Sequence, residues 1–315
     1  MTQTKSLIDS VHIRIHKSLI SDQQLGKLLN TIDITHSFES HEYGNVCKKG
    51  RHKNFQVAIN MNTVCVNGSL PKFYSGSNIE NITFDEVTEA LKQLAFELGI
   101  PVLRGDIARL DIAQCIPLEN DLRYYFKDLL DTPDYERDRS TNGVRYTKSN
   151  LVLAFYNKND DVIMNPDAFL KYRDQHLMRI ELRIMDRVRR TLMKNSKKLM
   201  AVQLFSSTFQ NKLTEYWWKH YTAILKRRVI LEHGDMKGWK DSKQYLMATA
   251  LHQLTMTSWF DLVEIFASEN NWESKVKSDV KASSRKVWEN NKITTPNQYI
   301  RELEEKIEQM RRSRT

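Results

Sequence analysis

Three short segments constrain this chain more than any others: 107–114 (IARLDIAQ), 151–162 (LVLAFYNKNDDV) and 177–184 (LMRIELRI). Each contains an alternating or nearly continuous apolar run, the pattern of a strand with at least one buried face. Each also carries a polar group in or beside that run: Asp111 with Arg109, Tyr156 with Lys158, Glu181 with Arg179. A charge inside an apolar strand is expensive to bury unpaired. These strands therefore predict a sheet that offers a phenol and two carboxylates.

The surrounding pattern supplies the rest of an α+β fold. VHIRIHK (11–17) alternates in period two and begins a strand, and the Ser21/Gln24 capping-box spacing opens a short helix. FQVAINMN and TVCVNG (55–68) read as two strands with a polar joint. Thr83 and Glu86 form a second capping box, after which Leu91, Leu94, Ala95 and Leu98 share a helix face that Gly99 ends. A helix near 119–130, an exposed loop at 131–143, strands around 143–147 and 150–157 and a helix after Pro166 follow. Short, hairpin-like connections make the sheet largely antiparallel, with flanking helices.

From about 186 onward strand patterns give way to helical ones, broken at Gly234 and Gly238. Residues 259–291 divide into three short helices, the last two near 272–280 and 283–290 with the spacing of a helix-turn-helix. Ile300, Leu303, Ile307 and Met310 line one stripe of a terminal helix, suited to docking on the body or to pairing with a second copy in a homodimer. Three regions result: 1–190 with the sheet, 191–295 helical and basic, and 296–315 as an amphipathic helix.

The chain has 315 residues and a formal charge of +9, unevenly placed. Between 183 and 228, twelve Lys/Arg stand against Asp186 and Glu215, interleaved with Phe205, Phe209, Tyr216, Trp217, Trp218 and Tyr221. Concentrated cations suit phosphates, and the aromatics suit either unstacked bases or a helical core. Arg187, Arg189, Arg190, Lys197, Lys198, Lys226, Arg227 and Arg228 are the candidate DNA contacts. No apolar run approaches the roughly 20 residues of a membrane span, and MTQTKSLIDS lacks a signal-peptide core, which places the protein in the cytoplasm. Cys47, Cys65 and Cys115 are odd in number and fit neither a disulfide framework nor a zinc finger.

A phenol and two carboxylates are the inventory for attacking a phosphodiester through tyrosine. An ordinary tyrosine titrates near pH 10, so it needs help to become a phenolate and to face an anionic phosphate. Mg2+ or Mn2+, held by carboxylate oxygens, supplies both kinds of help. Asp111 and Glu181 are the favoured metal ligands; the alternative is that each is paired with its neighbouring arginine, Arg109 or Arg179. Lys158 lies two residues from Tyr156, on the same strand face, where it can hold the phosphate or lower the phenol's pKa. In GSLPKFYSGSN (68–78), Gly68 and Gly76 suit tight turns and Lys72 is available for phosphate. His12 and His16 are spaced wrongly for a His-hydrophobic-His metal motif and read as strand-surface residues.

Five segments in order, LIDSVHIRI (7–15), GSLPKFYSGSN, ARLDIA (108–113), LAFYNKNDD (153–161) and MRIELR (178–183), resemble the gene II/X family of filamentous-phage replication initiators. A more distant similarity is to the Rep_trans-type plasmid initiators. The resemblance covers roughly the first 60% of the chain and implies a tyrosine nuclease-like fold acting in a bacterial host cell. It implies that Tyr156 nicks origin DNA, keeps a 5′-phosphotyrosine link and later rejoins the displaced strand in rolling-circle replication. Double- and single-stranded origin DNA would be the substrate, with a host helicase and polymerase as partners. Asp161 stands where the family tends to carry a glutamate, a third candidate ligand. Tyr146, in the preceding strand, is the rival nucleophile, although the Tyr-x-Gly-Ser pattern of the plasmid initiators is missing here. Other readings are a relaxase or transposase with the same chemistry, and a DNA-binding regulator without catalysis.

Overall fold

The computed structural model describes residues 4–40, 45–185, 188–193, 198–231 and 238–312. Ten strands form one sheet: β1 (Ile8–His16), β2 (Asp33–Ser40), β3 (Asn45–His52), β4 (Phe55–Ile59), β5 (Thr63–Ser69), β6 (Asp106–Leu118), β7 (Glu136–Ser140), β8 (Gly143–Lys148), β9 (Leu151–Asn157) and β10 (His176–Ile184). Their spatial order is β2-β3-β4-β5-β1-β6-β10-β9-β8-β7, and every neighbouring pair is antiparallel. The fold is α+β, built on a large antiparallel sheet.

The strand order repeats itself. In 8–69, β1 is followed by a helix (Asp22–Thr31) and by the meander β2 to β5, whose last strand returns beside β1. In 106–184, β6 is followed by a helix (Leu122–Asp128) and by β7 to β10, whose last strand returns beside β6. The two five-stranded units meet through the antiparallel β1–β6 pair. An approximate two-fold axis normal to the sheet therefore relates them, and equivalent strands present equivalent positions on the same face. The second unit differs by two short helices, Asn159–Ile163 and Pro166–Tyr172, inserted between β9 and β10.

Alternation divides the sheet into an apolar and a polar face. Ile13, Val57, Val66, Leu110, Ile112, Leu153, Phe155, Ile180 and Leu182 are buried in one cluster with residues of the helices Phe84–Leu98 and Ser207–Ala223. The first of these helices has the expected capping box, with the Thr83 hydroxyl accepting from Glu86 N and the Glu86 carboxylate accepting from Thr83 N. Gly99 caps its other end at φ +66°, where a Cβ would be strained. The cluster does not stop at residue 190: it takes in Phe209, Leu213, Trp217 and Tyr221, and Leu303 and Ile307 of the terminal helix Gln298–Arg312. The aromatics of the basic stretch thus serve largely as core, and the terminal stripe docks on the body.

Several expectations are corrected. The stretch read as an exposed loop contains β7, a charged edge strand paired with β8. Strands also persist beyond 186: Arg228–Ile230 pairs antiparallel with Thr294–Pro296. The proposed helix-turn-helix is a single helix, Ser274–Trp288, after Met256–Glu269. Its small residues do not break it, because Ser284 is buried and spends its hydroxyl on Val280 O and Trp259 Nε1. Gly68 lies inside β5, where a Cβ would sit 2.7 Å from the Phe55 ring; Gly76 does turn the chain, at φ +79°. No helix among the described residues is long and apolar enough to cross a membrane.

Candidate active site

Register puts the polar residues of the three central strands side by side. Across β6, β10 and β9, Asp111 faces Arg183, Cys115 faces Arg179, and Arg179 faces Tyr156. Paired residues project to the same face of a sheet, so Asp111, Glu181, Arg183, Arg179 and Tyr156 share the polar face. Gly143 of β8 lies opposite Tyr156, where a Cβ would stand 2.9 Å from the Tyr156 Cβ. That Cβ would also collide with Phe155 O, so glycine is what lets β8 approach β9 this closely.

The Tyr156 hydroxyl donates to Glu181 Oε2 at 2.7 Å. Arg183 Nε donates to the other carboxylate oxygen, Oε1, at 2.6 Å, and Arg179 Nε lies 3.6 Å from Oε2. Arg109 grips Asp111 with two parallel bonds, Nε to Oδ1 at 2.8 Å and Nη2 to Oδ2 at 2.6 Å. The Arg109–Asp111 pairing foreseen from sequence is therefore present. Arg179 behaves differently. It is almost wholly buried, and its nearest carboxylate is Asp9 of β1, with Nη2 2.9 Å from Oδ2; it also donates to Asn78 O at 2.6 Å. Asp9 in turn accepts from Ser69 Oγ at 2.9 Å and Asn78 Nδ2 at 3.2 Å. A small apolar cluster of Ile79, Cys115, Val162 and Leu177 lies at this end and takes in Val162 of the inserted segment.

These surroundings set the protonation states. Burial foremost, and then the Glu181 charge, push the Tyr156 phenol well above its ordinary range. Burial also raises Asp111; Arg109 opposes it, and the neighbouring Glu181 charge adds to it. Burial would raise Asp9 as well, but Arg179, Ser69 and Asn78 outweigh it and hold the carboxyl below its usual value.

The electrostatic repulsion between Asp111 and Glu181 is what a divalent cation would relieve. Two carboxylates with water and phosphate oxygens suffice for magnesium, although here each is already held by a guanidinium. Asp161 does not join them. Its carboxylate lies 2.7 Å from the buried Lys158 Nζ, so the candidate third ligand and the candidate phosphate lysine neutralise each other. Among the described residues no group of three or more His, Cys, Asp or Glu is placed to hold a metal. Tyr146 points into the core, fully buried, and its hydroxyl donates to Leu130 O at 2.8 Å.

The expected DNA contacts are scattered. Lys226 is buried, donates to the carbonyls of Tyr221 and Ile224, and lies over the Tyr221 ring, so it is no surface cation. Arg227 pairs with Asp128 at 2.8 Å, and Arg228 is tied to Thr294 Oγ1 at 2.8 Å. Lys72 and Arg190 are exposed, and Lys198 lies 3.4 Å from Asp106. Arg187, Lys197 and the Arg189 side chain lie outside the described residues. Sequence reasoning assigned no role to Asp9, Arg183 or Gly143. Asp9 and Arg183 had a signal, each being a charged residue within a quoted strand motif; Gly143 had none, because its partner strand is known only from register.

The chain matches no protein-family model, and no curated protein matches it.

Proposed function

We propose that this protein is a strand-nicking and rejoining enzyme of the rolling-circle type, with Tyr156 as nucleophile. One observation carries the reading: the phenol is hydrogen-bonded to Glu181 at 2.7 Å on a polar sheet face that also holds Asp111, Arg109 and Arg183. A nucleophile, a proton acceptor within reach and cations for a phosphate are the parts that such a site needs. The similarity to the gene II/X initiators, with its tyrosine nuclease-like fold, supports the same assignment.

In this mechanism the Tyr156 oxygen attacks the scissile phosphorus while its proton passes to Glu181. The bond from phosphorus to the 3′ oxygen breaks, and that oxygen leaves as a hydroxyl by taking from Glu181 the proton that Tyr156 gave up. The 5′ phosphate stays on Tyr156 as a phosphodiester, so one ester replaces another and no nucleotide is consumed. Attack by the free 3′ hydroxyl reverses the step and closes the displaced strand. Arg183 and Arg109, each about a third exposed, can reach a phosphate oxygen. A divalent cation, Mg2+ or Mn2+, held by Asp111 and Glu181 would polarise the phosphate.

The test is direct. The purified protein is incubated with Mg2+ or Mn2+ and a supercoiled plasmid that carries its own gene neighbourhood. Nicked circles bearing protein on the 5′ end are expected from wild type and none from Tyr156→Phe. Equal nicking by the two proteins would discard Tyr156 and the mechanism.

A further inference from the structure

The two-fold repeat gives the Tyr156 site a counterpart in the first unit. Strand for strand, β1, β5 and β4 correspond to β6, β10 and β9. Where the second unit carries Asp111, Glu181 and Tyr156, the first forms a cleft of about 730 Å3 on the polar face of β1, β3, β4 and β5. Its wall holds Arg14, Lys49 and Arg51, together with His12 and His36. Among the described residues that line it, none is acidic and none carries a Phe, Tyr or Trp ring. Arg14, Lys49 and Arg51 are exposed, and none of the three makes an ion pair with a described residue. Asn67 and Gln56 add amide donors.

The cleft is continuous with the active site. His12 of β1 faces Arg109 of β6, whose guanidinium holds Asp111. From β10 to β3 there are five strand spacings of about 4.8 Å, or roughly 24 Å of polar face. The helical half cannot offer Lys226 in its place, because that amine is buried.

We infer that this cleft holds the sugar-phosphate backbone of single-stranded DNA running to Tyr156, so that one unit grips the strand and the other cuts it. The inference rests on the nicking reading for its direction but on the cleft's own chemistry for its ligand. Cations without carboxylates suit a polyanion. Among the described lining residues there is no aromatic platform on which bases would stack. The grip is therefore largely indifferent to sequence.

The test measures binding apart from cleavage. Fluorescence anisotropy with a labelled single-stranded oligonucleotide, in the Tyr156→Phe background and without metal, gives affinity against salt. Replacing Arg14, Lys49 and Arg51 together by Gln is expected to weaken binding and to reduce the log–log salt slope by about 2, at about 0.7 per lost phosphate contact. All three side chains are exposed, and a retained melting temperature confirms the fold. Oligo-dT and a mixed sequence of equal length are expected to bind within a few-fold of each other. An unchanged slope overturns the proposal, as does displacement by poly-glutamate but not by unlabelled oligonucleotide, which would give the cleft to an acidic protein. Nicking by wild type with an unchanged slope sinks the cleft and leaves Tyr156 standing; a lost slope with no nicking does the reverse.

Discussion

Glu181→Gln tests how the phenol is activated. At its ordinary pKa near 10, about one tyrosine in a thousand is phenolate at pH 7, and here burial and the Glu181 charge lower that fraction further. Attack therefore needs a proton acceptor in the transition state, and Glu181 Oε2 lies 2.7 Å from the hydroxyl. The amide keeps the shape and can still accept the hydrogen bond, but it cannot take the proton. General-base catalysis is worth about 100- to 10,000-fold, or about 2.7–5.5 kcal/mol at 1.36 kcal/mol per tenfold. Single-turnover nicking of a saturating oligonucleotide should fall within that range, with oligonucleotide affinity unchanged. The pH profile carries the sharper reading. Without the base, the phenol must ionise to solvent first, so the variant's rate should climb about tenfold per pH unit up to the phenol pKa, and the wild-type rate should climb less. A variant within threefold of wild type would refute the assignment. Full recovery at high Mg2+ would also refute it, because Glu181 would then serve the cation alone.

Three further outcomes follow from the packing. Tyr146→Phe should keep its nicking activity but lose about 0.5–1.5 kcal/mol of stability in urea unfolding, the net worth of one hydrogen bond, since Leu130 O still accepts from Thr132 Oγ1; lost nicking at full stability would move the nucleophile. Arg179→Met strands Asp9 and should cost about 3–5 kcal/mol, largely relieved in the Asp9→Asn/Arg179→Met double variant; strictly additive effects would show that the pair is not coupled. Because Asp9 is held below its unfolded value, this pair stabilises above about pH 4 and is lost as pH falls through the lower folded pKa. Lys226, lowered by burial to about 8 against the opposing charges of Glu304 and Glu289, releases its proton in the folded state first. Wild-type stability should therefore rise between about pH 8 and pH 10.4, and that of Lys226→Met should not; parallel denaturation midpoints for the two proteins across that window would refute the burial.

The strands around the site were legible because β6, β9 and β10 carry nearly continuous apolar runs, with side chains buried on both faces over much of their length. The capping boxes at Ser21 and Thr83 were legible for a similar reason, since each is complete within four residues. β2 and β3 were not, because THSFES and NVCKKG form the outer part of the meander and carry little apolar signal. β7 reads as a loop because an edge strand tolerates, and benefits from, the charges of ERDRS. Spacing put Lys158 on the strand face of Tyr156, but β9 ends at Asn157 and Lys158 opens the inserted helix, which brings Asp161 within 2.7 Å of the amine. The basic run at 226–228 looked continuous in sequence, yet the chain turns there from helix to strand. One cation is thereby buried and the next two are turned towards Asp128 and Thr294.

The charges at the site divide by accessibility, and that division gives them different work. Arg109, Arg179 and Arg183 face Asp9, Asp111 and Glu181, so the resting cluster has no net charge when all six are ionised. A neutral cluster does not draw a polyanion from solution; on our proposal that task falls to the first unit's cleft, whose Arg14, Lys49 and Arg51 make no ion pair with a described residue. Within the cluster, Arg179 is about 2% exposed and bound to Asp9 and Asn78, so it cannot turn to a substrate and acts by fixing β1 against β10. Arg109 and Arg183 are each about 31% exposed and can share a donor with an arriving phosphate. In the proposed mechanism a phosphate that draws Arg183 towards itself also frees Glu181 Oε1. On that proposal the phenol already has its proton acceptor in Glu181, and what an arriving phosphate adds is its own engagement with Arg183 beside the Tyr156 oxygen.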